Sequence, residues 1–181
     1  MRVLGLIAIS FAFTCGTVIN VWAGTAAQID ANVNATLDHF YDKVPDGKKL
    51  VAEAKGVLVF PNVYKAGLRI GGEYGEGALR IDGKTVEYYN TAAGSLGFQI
   101  GAEKKSFILV FMQEEALKHV RSSSNWKIGA DASVTLIAIG ADGSIDTQKL
   151  NQPILGFVLG QKGLMYNLTL EGTKITKVKK S

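Results

Sequence analysis

Ala54-Lys55-Gly56-Val57-Leu58-Val59-Phe60-Pro61-Asn62-Val63-Tyr64-Lys65-Ala66-Gly67, continuing into Leu68-Arg69-Ile70-Gly71-Gly72-Glu73-Tyr74-Gly75-Glu76-Gly77, decides the fold of this chain. Val57 to Phe60 is a short apolar run rich in β-branched residues and closed by Pro61, which reads as a buried strand. Five glycines then fall within the eleven residues from Gly67 to Gly77. Glycine at that density weakens a strand, so it demands a reason: a bulge, a sharp corner or the close approach of another backbone. Lys65 and Arg69 are read as bracketing a turn at Ala66-Gly67.

Upstream, apolar residues at Ile29, Val33, Leu37, Phe40, Tyr41 and Val44 recur in steps of three and four, which predicts a helix over 28–44. Its other face carries Asp30, Asn32, Asn34, Asp38 and Asp42, an acidic set unsuited to an anionic membrane surface. Pro45-Asp46-Gly47 ends it, and Asp46 can cap a second short helix over 48–54.

Downstream, the chain reads mostly as sheet. Asp82-Gly83, Asp142-Gly143 and Glu171-Gly172 are hairpin signals, and Thr85 to Tyr89 returns as the first partner strand. Residues 94–101 alternate, with Leu96, Phe98 and Ile100 on one face. Ser106 to Phe111 is a fully apolar strand, after which 112–122 reads as a helix buried through Leu117 and Val120. Strand character resumes over 126–136, 154–159 and 164–170, with Gln161-Lys162-Gly163 as a turn. The pattern predicts an α+β domain: N-terminal helices, then a strongly curved, mostly antiparallel sheet of about ten strands, barrel-like or sandwich, with one inserted helix.

Residues 1–23 read as a signal peptide, with Arg2 as the positive start, an apolar run to Ile19 and Val21-Trp22-Ala23 as a cleavage site before Gly24. Cys15 is the one cysteine, and Ala12-Phe13-Thr14 before it does not suit lipoprotein anchoring. Residues 24–181 are then a single exported domain without cysteine. With 181 residues, 47% of them hydrophobic, the chain has enough apolar material for one real core. Its net charge of +4 falls to +3 without Arg2, far from the dense basic stripe of a nucleic-acid binder.

Residues able to carry catalysis are sparse. Ala93-Gly94-Ser95-Leu96-Gly97 imitates an esterase elbow, but a strand and not a helix follows the serine. Gly83-Lys84-Thr85 sits in a hairpin turn and lacks the earlier glycine of a phosphate loop. His39 and His119 are the only histidines, and Asp142 to Asp146 lacks calcium-loop spacing. No enzyme, cofactor or metal is therefore expected. Cationic turns remain as binding candidates: Lys65 and Arg69, Lys104 and Lys105, and a basic tail of Lys174, Lys177, Lys179 and Lys180.

The quoted block, with Gly94 to Ala102, Leu109-Val110-Phe111 and Gly129-Ala130-Asp131-Ala132, resembles the SYLF domain, also called the Ysc84 or DUF500 family, across roughly Ile29 to Val178. The resemblance implies a non-catalytic, lipid-binding module. Eukaryotic members bind phosphoinositides, some bind actin, and most sit beside SH3 or FYVE domains. This chain looks like a stand-alone bacterial member exported to the periplasm, where neither of those ligands is expected. The resulting expectation is recognition of anionic phospholipid or a membrane surface through Lys65, Arg69, Lys104 and Lys105. The alternative is a structural or protein-interaction module of the cell envelope.

Overall fold

A capping box starts the first helix. Thr25 accepts from the Gln28 backbone N–H at 3.3 Å while Gln28 Oε1 accepts from the Thr25 N–H at 3.0 Å. Two orphan donors of the first turn are thereby satisfied, so α1 runs Ala26–Lys43, two residues earlier than the apolar spacing alone predicts. The computed structural model describes residues 24–67, 70–96, 101–160 and 170–180. The expected signal peptide, Cys15, Arg69, the middle of the strand expected over 94–101, the turn expected at 161–163 and nearly all of the strand expected over 164–170 lie outside them.

After α1 come α2 (Gly47–Glu53), β1 (Gly56–Gly67), β2 (Ile70–Ile81), β3 (Lys84–Leu96), β4 (Gly101–Phe111), α3 (Glu114–Ser122), β5 (Asn125–Lys127), β6 (Thr135–Leu136), a 3-10 turn (Thr147–Lys149), β7 (Ile154–Gly160) and β8 (Lys174–Val178). Among the described residues they make one curled sheet of eight strands in the order β5-β8-β3-β2-β1-β4-β7-β6. All neighbours are antiparallel except β6 and β7. The fold is α+β with a curved sheet, as the sequence predicts, although the 126–136 strand is broken into β5, a turn and β6.

β1 lies in the middle, and both of its faces are covered. Val57 and Val59 join Ile29, Val33, Phe40 and Phe157 in a core under α1. Leu58 and Phe60 join Phe107, Phe111, Leu117, Trp126 and Ile175 in a second core under α3. A strand buried on both sides needs apolar residues at every position, which explains the unbroken run over 57–60. Each such side chain contributes about 1.5–3 kcal/mol on burial.

Pro61 does not close the strand, contrary to the sequence reading. Phe60 pairs with Phe107 and Val63 with Lys105, and Val59 with Ala78 and Asn62 with Glu76. Three steps on β1 thus oppose two on either neighbour, and the surplus residue makes a bulge. Proline has no N–H for a ladder, and a bulge is where an interior strand tolerates it. Ser106 Oγ donates to the freed Pro61 carbonyl at 2.7 Å.

The bulge also explains the glycines opposite it. A Cβ on Gly77 would collide with the Val59 carbonyl oxygen, and one on Gly75 would stand 2.7 Å from the Asn62 oxygen and 2.8 Å from Val63 Cγ2. Across the next turn, Asp82 and Gly83 have φ of 50° and 75°, the doubly left-handed pair that a two-residue hairpin needs.

Helix α1 is pinned down by its polar side as well as its apolar one. Asp30 accepts from Thr85 Oγ1 at 2.8 Å and from Tyr88 OH at 3.0 Å, and Asn34 accepts from Arg80 at 2.6 Å. Part of the acidic face is therefore occupied in gripping β2 and β3.

Candidate functional site

Three of the four cations singled out from the sequence, Lys65, Lys104 and Lys105, are not turn residues. Lys65, Ala66 and Gly67 are strand, within β1, and Lys104 and Lys105 are strand, within β4. Successive strand residues point to opposite faces, so Lys104 and Lys105 are divided by the sheet. Lys105 is 8% exposed and pairs with Glu73 at 2.6 Å on the α3 side. Lys65 follows Val63 on that same side and stands in register with Glu73. Arg69 lies outside the described residues. Only Lys104 faces outward on the α1 side.

The basic tail is corrected too. Lys174 and Lys177 belong to β8. Lys177 Nζ reaches Glu87 at 3.0 Å, and Lys180 Nζ reaches Glu76 at 2.5 Å. Glu87 also accepts a two-pronged contact from Arg121, at 3.2 and 3.1 Å, and the Tyr89 hydroxyl at 2.7 Å. Burial alone would raise the Glu87 pKa, but these donors outweigh it and hold the carboxyl below its ordinary value. Burial and that carboxylate in turn keep the Tyr89 phenol protonated. This knot ties α3, β3 and β8 together.

What the sheet does bring together is a row. Register places Lys127 opposite Lys174, Lys174 opposite Ala92, Ala92 opposite Tyr74, Tyr74 opposite Tyr64, and Tyr64 opposite Lys104. Six strands are crossed on one face, a span of about 24 Å at the usual strand spacing. Every member is exposed, including Tyr64 at 54% and Tyr74 at 41%, two of the few large hydrophobics left in solvent among the described residues. Lys104 Nζ stands 5.9 Å from the Tyr64 ring centroid. Burial, then the neighbouring Glu76 carboxylate, raises the Tyr74 phenol above its ordinary pKa, so it remains neutral and a donor.

Beside the tyrosines, a groove of about 450 Å³ runs between α1 and the bulge, lined by Gln28, Asn32, Asn62, Tyr64, Tyr74 and Glu76 among others. It shares Asn32, Pro61 and Asn62 with a second groove of about 310 Å³ that reaches His39, Lys104 and Ser106. The surface therefore offers lysines at both ends of the row, two phenols in the middle and amide side chains along one flank.

Sequence reading missed Tyr64, Tyr74 and Lys127. The signal that could find the tyrosines is the hairpin register: pairing Gly67 with Gly71, instead of turning at Ala66-Gly67, sets residue 64 opposite 74. Lys127 comes into line only through β8, a pairing across nearly fifty residues that periodicity does not carry.

Residues 92–181 match the family model Ysc84, described as Las17-binding protein actin regulator. The matched segment holds Ala92, Lys104, Lys127 and Lys174, while the two tyrosines precede it. No curated protein matches the chain.

Proposed function

With residues 92–181 belonging to the Ysc84 family, we propose that this chain is a non-catalytic binding module, exported across the inner membrane, that docks on anionic phospholipid surfaces. The observation that carries this is the exposed row from Lys127 through Tyr74 and Tyr64 to Lys104. Phenols have an apolar body and a polar tip, which suits the headgroup boundary of a bilayer. Lysines flanking them meet phosphate, at about 1 kcal/mol each near the surface. The acidic residues of α1 do not oppose this docking as fully as the sequence suggests, because Asp30 is engaged by Thr85 and Tyr88.

The test is co-sedimentation of the protein with neutral and with anionic liposomes, at low and high salt. Binding to anionic vesicles alone, lost at high salt, is the expected result. Lys104→Gln, Lys127→Gln and Lys174→Gln should each weaken it roughly fivefold, and the triple variant by about a hundredfold. Equal binding by the triple variant and the parent would sink the row as the docking surface. A chain that ignores both vesicles would instead point to a protein partner in the envelope. Such a partner would meet the tyrosine face, since the edge strands β5 and β6 offer only three and two residues for pairing.

A further inference from the structure

Glu76 stands at an unusual junction. Its Oε2 accepts from the Gly24 backbone nitrogen at 2.7 Å, its Oε1 receives Lys180 Nζ at 2.5 Å, and the Tyr74 hydroxyl donates to Oε1 at 3.4 Å. The carboxylate is fifty-two residues from Gly24 and 104 from Lys180, and its side chain is 15% exposed. Gly24 is also the first residue after the cleavage site read from Val21-Trp22-Ala23.

We propose that Glu76 is the receptor for the α-ammonium group created when the chain is cut between Ala23 and Gly24. One carboxylate then clamps both ends of the folded domain. The proposal rests on the export reading above and is independent of the lipid reading.

The chemistry is simple hydrolysis by a signal peptidase of the exporting cell. Water adds across the Ala23–Gly24 amide; its oxygen goes to the Ala23 carbonyl carbon, which leaves as a carboxylate. The Gly24 nitrogen keeps its electron pair and is protonated to an ammonium at neutral pH. An amide N–H already aimed at a carboxylate thus becomes a full positive charge with three donors, at a separation typical of charge-assisted hydrogen bonds.

Three features hold Gly24 in place without help from residue 23. The capping box and the Ile29 N–H bond to the Thr25 carbonyl, at 3.0 Å, fix the backbone immediately after it. A Cβ at position 24 would stand 3.1 Å from Glu76 Oε2 and 3.4 Å from Ile29 Cγ1, so glycine permits the approach. The third is electrostatic. An ammonium beside the N-terminus of α1 faces the positive end of the helix dipole, which is unfavourable unless a nearby anion offsets it. Glu76 is that anion. The charged and titratable groups facing the site are Glu76, Lys180 and the Tyr74 phenol.

The experiment begins with the full precursor, expressed with its leader in an exporting bacterium and recovered after processing. Intact mass reports the N-terminus, and a limiting amine-acylating reagent then labels the α-amine, followed on the N-terminal peptide. The expected result is a Gly24 N-terminus labelled about tenfold more slowly in the native protein than in urea, as a charge-assisted bond at a part-buried site predicts. Glu76→Gln should abolish that protection and Lys180→Ala should leave it. If the Glu76→Gln protein does not fold, the native-against-urea comparison still decides. Equal rates there, or protection that survives Glu76→Gln, overturn the assignment to Glu76 alone. An N-terminus elsewhere overturns the clamp together with the export reading.

Discussion

Replacing Gly77 by alanine tests whether the glycines of β2 exist to admit the β1 bulge. The added methyl would collide with the Val59 carbonyl oxygen and stand 2.7 Å from Phe60 Cδ1 and 3.0 Å from its Cγ. The Val59 backbone cannot retreat, because β1 is paired on both sides and is the strand about which both cores are built. Phe60 is fully buried against Phe107, their ring centroids 4.6 Å apart, so its ring has little room either. Overpacking of this kind costs about 1–3 kcal/mol, at the high end where backbone is the obstacle. Alanine for glycine in an unobstructed strand gains roughly 0.5–1 kcal/mol. Gly94→Ala on β3, where nothing lies within 4 Å of the new methyl, is the matched control. Urea unfolding followed by the fluorescence of buried Trp126 should show a Gly77→Ala midpoint well below the parent, with Gly94→Ala at or above it and m unchanged. In heat, the drop for Gly77→Ala should be roughly 4–12 °C for a chain of this size. Coincident midpoints for the two variants would refute the steric account of the glycine-rich strand.

The buried pair of Lys105 and Glu73 makes a prediction opposite to that for a headgroup-binding lysine. Lys105→Met should cost about 3–5 kcal/mol in a urea melt, because it strands a mostly buried carboxylate, and adding Glu73→Gln should recover most of the loss. Loss of liposome binding with stability unchanged would contradict that placement. At Glu87, whose carboxyl is held below its ordinary pKa, the stabilisation is complete above the unfolded value of about 4.3 and disappears as pH falls through the folded one. Glu87→Gln should therefore be less stable at neutral pH yet lose less stability between about pH 5 and pH 3. Parallel pH curves for parent and variant would show that the knot with Arg121 and Lys177 contributes nothing.

Local signals in the sequence were sufficient where the fold is local. The period of Ile29, Val33, Leu37 and Phe40 gives α1, the Asp82-Gly83 pair gives the β2–β3 hairpin, and Leu117 with Val120 gives α3. Pro61 misled because its usual meaning, the end of a strand, gives way to a bulge when both neighbouring strands continue past it. Lys104 and Lys105 misled for a different reason. Two adjacent lysines resemble a solvated turn, and only the alternation along β4 shows that one goes out to solvent while the other goes in to Glu73. The exposed row was hidden because its members come from six strands, three of which find their neighbours across long stretches of chain.

The place of β8 in the sheet has a consequence for how this molecule reaches its final shape. Residues 174–178 are almost the last described, yet they lie between β3 and β5 and not at an edge. β1, β2 and β3 can zip together early, through neighbours close in sequence. Closure must wait for β8, and with it Ile175 for the α3 core and Lys177 for Glu87. Such late, long-range pairing slows folding. On the export reading proposed above, that delay suits a polypeptide crossing a membrane unfolded, because the sheet is not locked until β8 has paired with β3.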